Sequence, residues 1–268
     1  MKIMGIINAT PDSFSDGGQF DTTDQAIKHG KTMIEEGASI LDIGGESTRP
    51  GAEIIAPEEE IKRVVPIIEG LKGYEISIDT RNAKTMRSGL DAGATVVNDI
   101  SALRHDPKSV EVVSEAGCPV CLMHMQGTPQ DMQNQPQYND VIDELCAFFE
   151  ERLEFCISNG INQSKIILDP GIGFGKTLEH NLKILRNIDA FKRFGCQVLI
   201  GVSRKSFIGK ISGEQDPKKR LPGSIAAALY ALEKGADIIR VHDVTETYQA
   251  LEVYAGIVSA PGADALPT

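Results

Sequence analysis

A single-domain α/β protein built as a (β/α)8 TIM barrel is what this sequence predicts, on three observations. One grammar recurs eight times: a short apolar run, then a polar or ionisable residue, then Gly or Pro close by. It occurs at 3–8, 40–42, 76–79, 95–98, 120–124, 166–169, 198–205 and 238–242. The runs are apolar throughout rather than alternating, as strands of a parallel sheet covered on its outside are. Amphipathic segments separate them without a composition break or a Pro/Ser-rich linker, and eight such units fit the 268 residues as one barrel. An open doubly wound sheet is the alternative arrangement of the same units.

The helices follow from their periodicity. Ala26, Ile27, Gly30, Met33 and Ile34 recur at helical spacing, and Gly37 stops the run. Pro57 with Glu58, Glu59 and Glu60 reads as a first turn whose carboxylates suit the helix dipole, before a stripe of Ile61, Val64, Val65, Ile68 and Leu71. Further helices are predicted over 82–92, 108–116, 139–159, 178–190, 223–234 and 244–258. The last opens with Asp243 and Glu246 as a capping pair, over a stripe of Val244, Tyr248, Leu251, Tyr254 and Val258. The barrel is expected to occupy 1–258, with 259–268 as a flexible tail.

Composition excludes several classes. A formal charge of −11 argues against nucleic acid, so an anionic ligand needs a local cluster of cations and helix N-termini. No run approaches the ~18 apolar residues of a membrane span, and the N-terminus lacks a signal-peptide pattern. The five Cys are odd in number and suit reduced thiols, which points to a soluble cytoplasmic protein. Cys118 and Cys121 form a C-x-x-C inside a predicted strand, without a second pair, and read as small buried residues.

In such a barrel the C-terminal strand ends and the following loops form one reactive face. Asn and Asp there also start turns and cap helices, so the argument rests on the set. Asp79, Asn98 and Asp169 end strands three, four and six; two carboxylates and a carboxamide facing inward suit a flat polar heterocycle, matched edge to edge as a guanidinium is. Asp99 reads as a cap. Lys205, after strand seven, can bond a carbonyl, neutralise developing charge or form a Schiff base; Arg204 reads as structural. Arg240 and His242 fall on the same side of strand eight, and a helix N-terminus follows, which together suit an anion.

Two long polar loops, 8–18 and 44–51, read as lids, with Phe14 and Arg49 as binding candidates. Asn8 beside a diphosphate would suit Mg2+, which keeps waters and borrows phosphate oxygens. His29 and His180 read as helix-surface residues, and His105 as a loop residue. Gly175-Lys176-Thr177 imitates the end of a P-loop, but Pro170 stands where the first glycine is required.

Several motifs together resemble the bacterial dihydropteroate synthase family: Asn8-Ala-Thr-Pro-Asp-Ser-Phe-Ser-Asp-Gly-Gly, Asp42-Ile-Gly-Gly-Glu-Ser-Thr-Arg-Pro-Gly, Asn98-Asp-Ile, Leu122-Met-His-Met-Gln-Gly, Asp169-Pro-Gly-Ile-Gly-Phe-Gly-Lys, Ser203-Arg-Lys-Ser and Arg240-Val-His-Asp-Val. The resemblance runs from about residue 4 to residue 258. It implies condensation of 6-hydroxymethyl-7,8-dihydropterin diphosphate with 4-aminobenzoate, giving 7,8-dihydropteroate and diphosphate on the folate pathway. It further implies that Asp79, Asn98, Asp169 and Lys205 bind the pterin, with Met123 and Phe174 as apolar walls. Asn8 would take Mg2+, Arg240 and His242 the diphosphate, and Thr48, Arg49, Pro50, Phe14 and Ser203 would organise the lids and the aminobenzoate pocket. A homodimer and sensitivity to sulfonamides as aminobenzoate mimics are implied as well. Arg81 departs from the small polar residue expected there and is expected to face solvent. Competing readings are a pterin-dependent methyltransferase barrel, a Schiff-base lyase on Lys205, and a non-catalytic pterin-binding relative.

Overall fold

Eight parallel strands close into a barrel in sequence order: β1 (Lys2–Asn8), β2 (Ile40–Gly44), β3 (Ile76–Asp79), β4 (Val96–Asp99), β5 (Val120–Met123), β6 (Ile166–Asp169), β7 (Gln197–Gly201) and β8 (Ile238–Val241), which pairs back onto β1. The structure is a computed structural model, and it describes residues 1–10, 19–47 and 55–259. Phe14, Thr48, Arg49, Pro50 and the tail from residue 260 lie outside the described residues. Around the barrel run α1 (Gln19–Glu35), α2 (Pro57–Gly70), α3 (Ala83–Ala92), α4 (Ser109–Ala116), α5 (Val141–Ser158), α6 (Leu178–Arg186), α7 (Ser206–Ser212), α8 (Leu221–Glu233) and α9 (Val244–Val258).

Alternation along each strand sorts the side chains. Met4, Ile40, Val96, Cys121, Ile167, Leu199 and Ile238 meet inside the barrel as its own apolar cluster. Residues two positions further on carry the same direction up to the mouth: Asp42, Asn98, Met123, Asp169 and Arg240. Asp79 joins them from β3. The register sets them level, with Asp79 beside Asn98, Met123 beside Asp169, and Gly201 beside Arg240. The opposite strand face, with Ile3, Ile7, Leu41, Ile43, Ile76 and Ile78, packs under the helices in the larger core.

Gly37 ends the first unit with φ of 108°, and a Cβ there would lie 2.4 Å from the Tyr248 ring. Only glycine meets both conditions.

Several expectations need correcting. The predicted helix at 178–190 stops at Arg186 and continues as a 3-10 turn over Ile188–Phe194. The short helix α7 was not expected; seven residues are too few to show a period. Asp243 does not cap α9; its carboxylate is drawn off by Arg204. On α9 the buried face is Val244, Thr247 and Leu251, whereas Tyr248 and Val258 are exposed. His180 is part of the α6 cap: its backbone N donates to Thr177 Oγ1 and its ring accepts from Thr177 N. Glu60 lies in the first turn of α2 as expected, but it is fully buried and accepts from Asn82 and Thr85. Cys118 precedes β5 rather than lying in it. Arg81 is buried and forms a two-pronged ion pair with Glu46, at 3.1 and 3.2 Å.

Candidate active site

The floor of the mouth is a chain of charges. Asp42 Oδ2, fully buried, accepts from Asn98 Nδ2 at 3.1 Å and from Arg240 Nε at 2.6 Å. The same guanidinium donates through its Nη2 to Asp79 Oδ2 at 2.8 Å. Burial first, and the Asp42 charge second, push the Asp79 carboxyl up to about 8 against the pull of Arg240. Burial opposes the charge on Arg240, but Asp42 and Asp79 outweigh it and hold its pKa above the ordinary value. Asp42 Oδ1 has no hydrogen-bond partner among the described residues. Asp42, although it is the polar residue of the second apolar run, was not singled out as a site residue by sequence reasoning. It sits two residues before the strand end, where the inward alternation of β2 aims it at the mouth.

One side of the mouth is built by the turn after β6. Asp169 Oδ1 accepts from Gly171 N at 2.7 Å, and burial raises its pKa, with Lys205 opposing. Lys205 lies on the ring of Phe174, its Nζ 4.8 Å from the centroid, and donates to Ile172 O. Burial lowers the Lys205 pKa to about 8, with Asp169 opposing. It is half-buried rather than a solvated surface lysine. Phe174 packs on a cluster of Ile100, Met123, Met125 and Met132. Met123 and Phe174 were foreseen together; Ile100, Met125 and Met132 were not, because they sit on loops or past a strand end, without a period.

The third part is the corner between β7, β8 and β1. Ser203 Oγ and His242 Nδ1 lie 3.0 Å apart, and Ser203 Oγ accepts from His242 N at 3.2 Å. Arg204 is structural: it grips the Asp243 carboxylate, its N–H donates to Ser224 Oγ, and its carbonyl accepts from Arg220. This clamp joins β7's exit to the start of α9. Asn8, His242, Thr245 and Glu246 line a groove of about 420 Å³ that begins at the corner and passes His29 and Glu36. The structure thus gathers Asp79, Asn98, Met123, Asp169, Phe174, Lys205 and Arg240 at the mouth, and Asn8, Ser203 and His242 at its corner. The lid candidates at 14 and 48–50 lie outside the described residues.

A barrel whose mouth holds buried acids, two cations and an apolar wall defines a small-molecule enzyme for a flat, polar, charged substrate. Residues 4–242 match the family of pterin binding enzymes. Dihydropteroate synthase of Escherichia coli (strain K12) is 47% identical, across 96% of this chain and 92% of its own length. That of Bacillus subtilis (strain 168) is 41% identical across 97% and 90%. A Xanthomonas albilineans dihydropteroate synthase structure with 4-aminobenzoic acid superposes with a TM-score of 0.92 at 43% identity, covering 97% of this chain and 94% of that one. A Yersinia pestis structure with a sulfonamide drug gives 0.91 at 44% identity, with the same coverage. The chain belongs to the pterin-binding enzyme family, in its dihydropteroate synthase branch, whose members are transferases.

Proposed function

We propose that this chain joins 6-hydroxymethyl-7,8-dihydropterin diphosphate to 4-aminobenzoate, releasing diphosphate and 7,8-dihydropteroate for folate synthesis. The observation that carries the roles is that Asp169 and Arg240 open onto one mouth. The heterocycle's N–H and NH2 groups are donors, and the carboxyl and carboxamide oxygens at the mouth are the acceptors that match them. Asp79, Asn98 and Asp169 complete the grip, with Met123 and Phe174 on the ring faces and Lys205 on its carbonyl.

The substrate's C–O bond breaks with its electron pair passing to diphosphate, which Arg240, His242, Ser203 and the free N–H groups of α9 hold. Positive charge left on the methylene spreads into the pterin, beside the acidic side chains of Asp42 and Asp169 and the carboxyl oxygens of Asp79. The arylamine nitrogen then forms the C–N bond and sheds its proton to solvent. No covalent nucleophile is needed. Thr48, Arg49, Pro50 and Phe14 are proposed for the aminobenzoate side on sequence grounds.

Mg2+ is tested by the donor set. Among the described residues no cluster of three His, Cys, Asp or Glu could hold a metal. One amide oxygen at Asn8, at the diphosphate corner, fits an ion that takes its other ligands from water and phosphate. Bound there, Mg2+ would offset charge on the leaving group.

A homodimer is proposed on the exposed apolar side chains of α9 (Val253, Ile257, Val258), with Tyr230 of α8 and Ile211 of α7. Five free thiols suit a reducing cytoplasm. No helix among the described residues is long and apolar enough to cross a membrane.

The deciding assay mixes the protein with the pterin diphosphate, Mg2+ and 4-aminobenzoate, and measures diphosphate and dihydropteroate. Release that ignores the arylamine, with no pteroate formed, would overturn the reading.

A further inference from the structure

The glycine-rich loop after β6 is shaped by side chains, three of them from elsewhere in the chain and one, Lys176, at its own end. Four successive carbonyls each accept from a different side chain: Ile172 O from Lys205 Nζ, Gly173 O from Gln133 Nε2 at 2.7 Å, Phe174 O from Lys176 Nζ at 2.9 Å, and Gly175 O from Tyr138 OH at 2.8 Å. Gly171, Gly173 and Gly175 have φ of 68°, 83° and 62°. Three such glycines give the loop little conformational preference of its own, so these ties decide its shape.

Lys176 differs from the other three donors. It is only 3% exposed, and its ammonium has two further partners, His124 Nδ1 at 3.0 Å and His124 O at 3.3 Å. Three N–H groups meet three acceptors, leaving none for a ligand. His124 follows the last residue of β5, and its ring stands edge-on to Phe148 at 4.8 Å. One buried cation therefore fastens the Phe174 backbone to the end of the neighbouring strand. The tie from Lys205 is shared with the ligand in the substrate complex, because the same ammonium also donates to the proposed pterin carbonyl, whereas that of Lys176 is not.

We infer that Lys176 is a positioning residue for the pterin site: by binding Phe174 O and His124 together it sets where the Phe174 ring stands against Met123 and Lys205, and so governs affinity for the flat heterocycle. The inference rests on the pterin reading of the mouth. Burial, with Lys176 as the next cause, pushes His124 down to about 2, which keeps the ring neutral and Nδ1 available as an acceptor. Lys176 touches no reacting atom in this scheme, so its loss acts on binding.

The test compares wild type with Lys176→Met, Tyr138→Phe and Gln133→Ala, all as full-length chains. Steady-state KM is measured for each substrate, together with the Kd of 6-hydroxymethylpterin, a probe without diphosphate. For Lys176→Met, the pterin KM and the probe Kd are expected to rise roughly tenfold, as the Phe174 ring loses its fixed position, while kcat and the aminobenzoate KM hold. Tyr138→Phe and Gln133→Ala are expected to shift the same two quantities by less. A folded Lys176→Met protein with unchanged probe Kd, or with both KM values raised alike, overturns the inference. Should that variant not fold, the probe Kd of the other two decides: a rise in either supports the inference, and no change in both overturns it. A wild-type protein that binds the probe yet makes no pteroate defeats the catalytic reading instead.

Discussion

Arg240 stands between two carboxylates that share the buried floor, and its removal would leave Asp42 and Asp79 facing each other without a counter-charge. Breaking one partner out of such a set costs about 3–5 kcal/mol. Arg240→Met is therefore expected to lose stability on that scale in urea melts, and turnover as well. Arg240→Lys separates the two effects: it keeps the charge but loses the two-pronged geometry, so turnover should fall further than stability. Equal losses in both assays would count against a role for the guanidinium in the reaction. Lys176 makes a pH prediction. Burial lowers its pKa to about 7, below the ~10.4 of an unfolded chain. Between those values the unfolded state binds more protons, so this residue's contribution to stability rises with pH from about 7 to ~10.4, and its cost is fully present below 7. Unfolding free energies of wild type and Lys176→Met, compared at pH 6.5 and 9.5 as chosen conditions, should diverge in favour of wild type at the higher pH.

At the scale of elements, the loops after β5 and β6 behave as one unit. Gly171 shows why: a Cβ there would stand 2.0 Å from His124 O, a backbone atom that cannot swing aside. Gly171→Ala is expected to destabilise the protein by at least ~2 kcal/mol and to raise the pterin KM, read by thermal melts and kinetics. The clamp of Arg204 on Asp243 plays a comparable part on the other side, joining the exit of β7 to the first turn of α9. Arg204→Ala should raise the KM for the pterin diphosphate more than the Kd for 6-hydroxymethylpterin, because only the former uses the corner. A variant that weakens both equally would reassign the clamp to general stability.

For the molecule as a whole, the apolar strip on α9 makes the dimer testable. Val253→Glu with Ile257→Lys should yield monomers in sedimentation equilibrium while the barrel's thermal transition persists. The ring of eight strand ends was legible because hydrophobic runs and their polar stops are local properties of the chain. The same local signals pointed to Asp79, Asn98, Asp169, Lys205 and Arg240, since alternation and strand ends place them at the mouth. They failed where partners come from distant segments. Nothing local showed that α3 would cover the first-turn carboxylate of Glu60, Arg81 looked solvated until Glu46 reached it, and Asp243 looked like a cap until Arg204 claimed it. Lys176 looked like a motif accident, yet its partners lie 52 residues away at His124 and two away at Phe174. The sequence by itself determined the number of strands and where each one ends, and so which residues arrive at one face. The tertiary structure alone decided which charges are buried and which acceptor each donor meets, because burial and pairing depend on what packs against a side chain from remote parts of the chain.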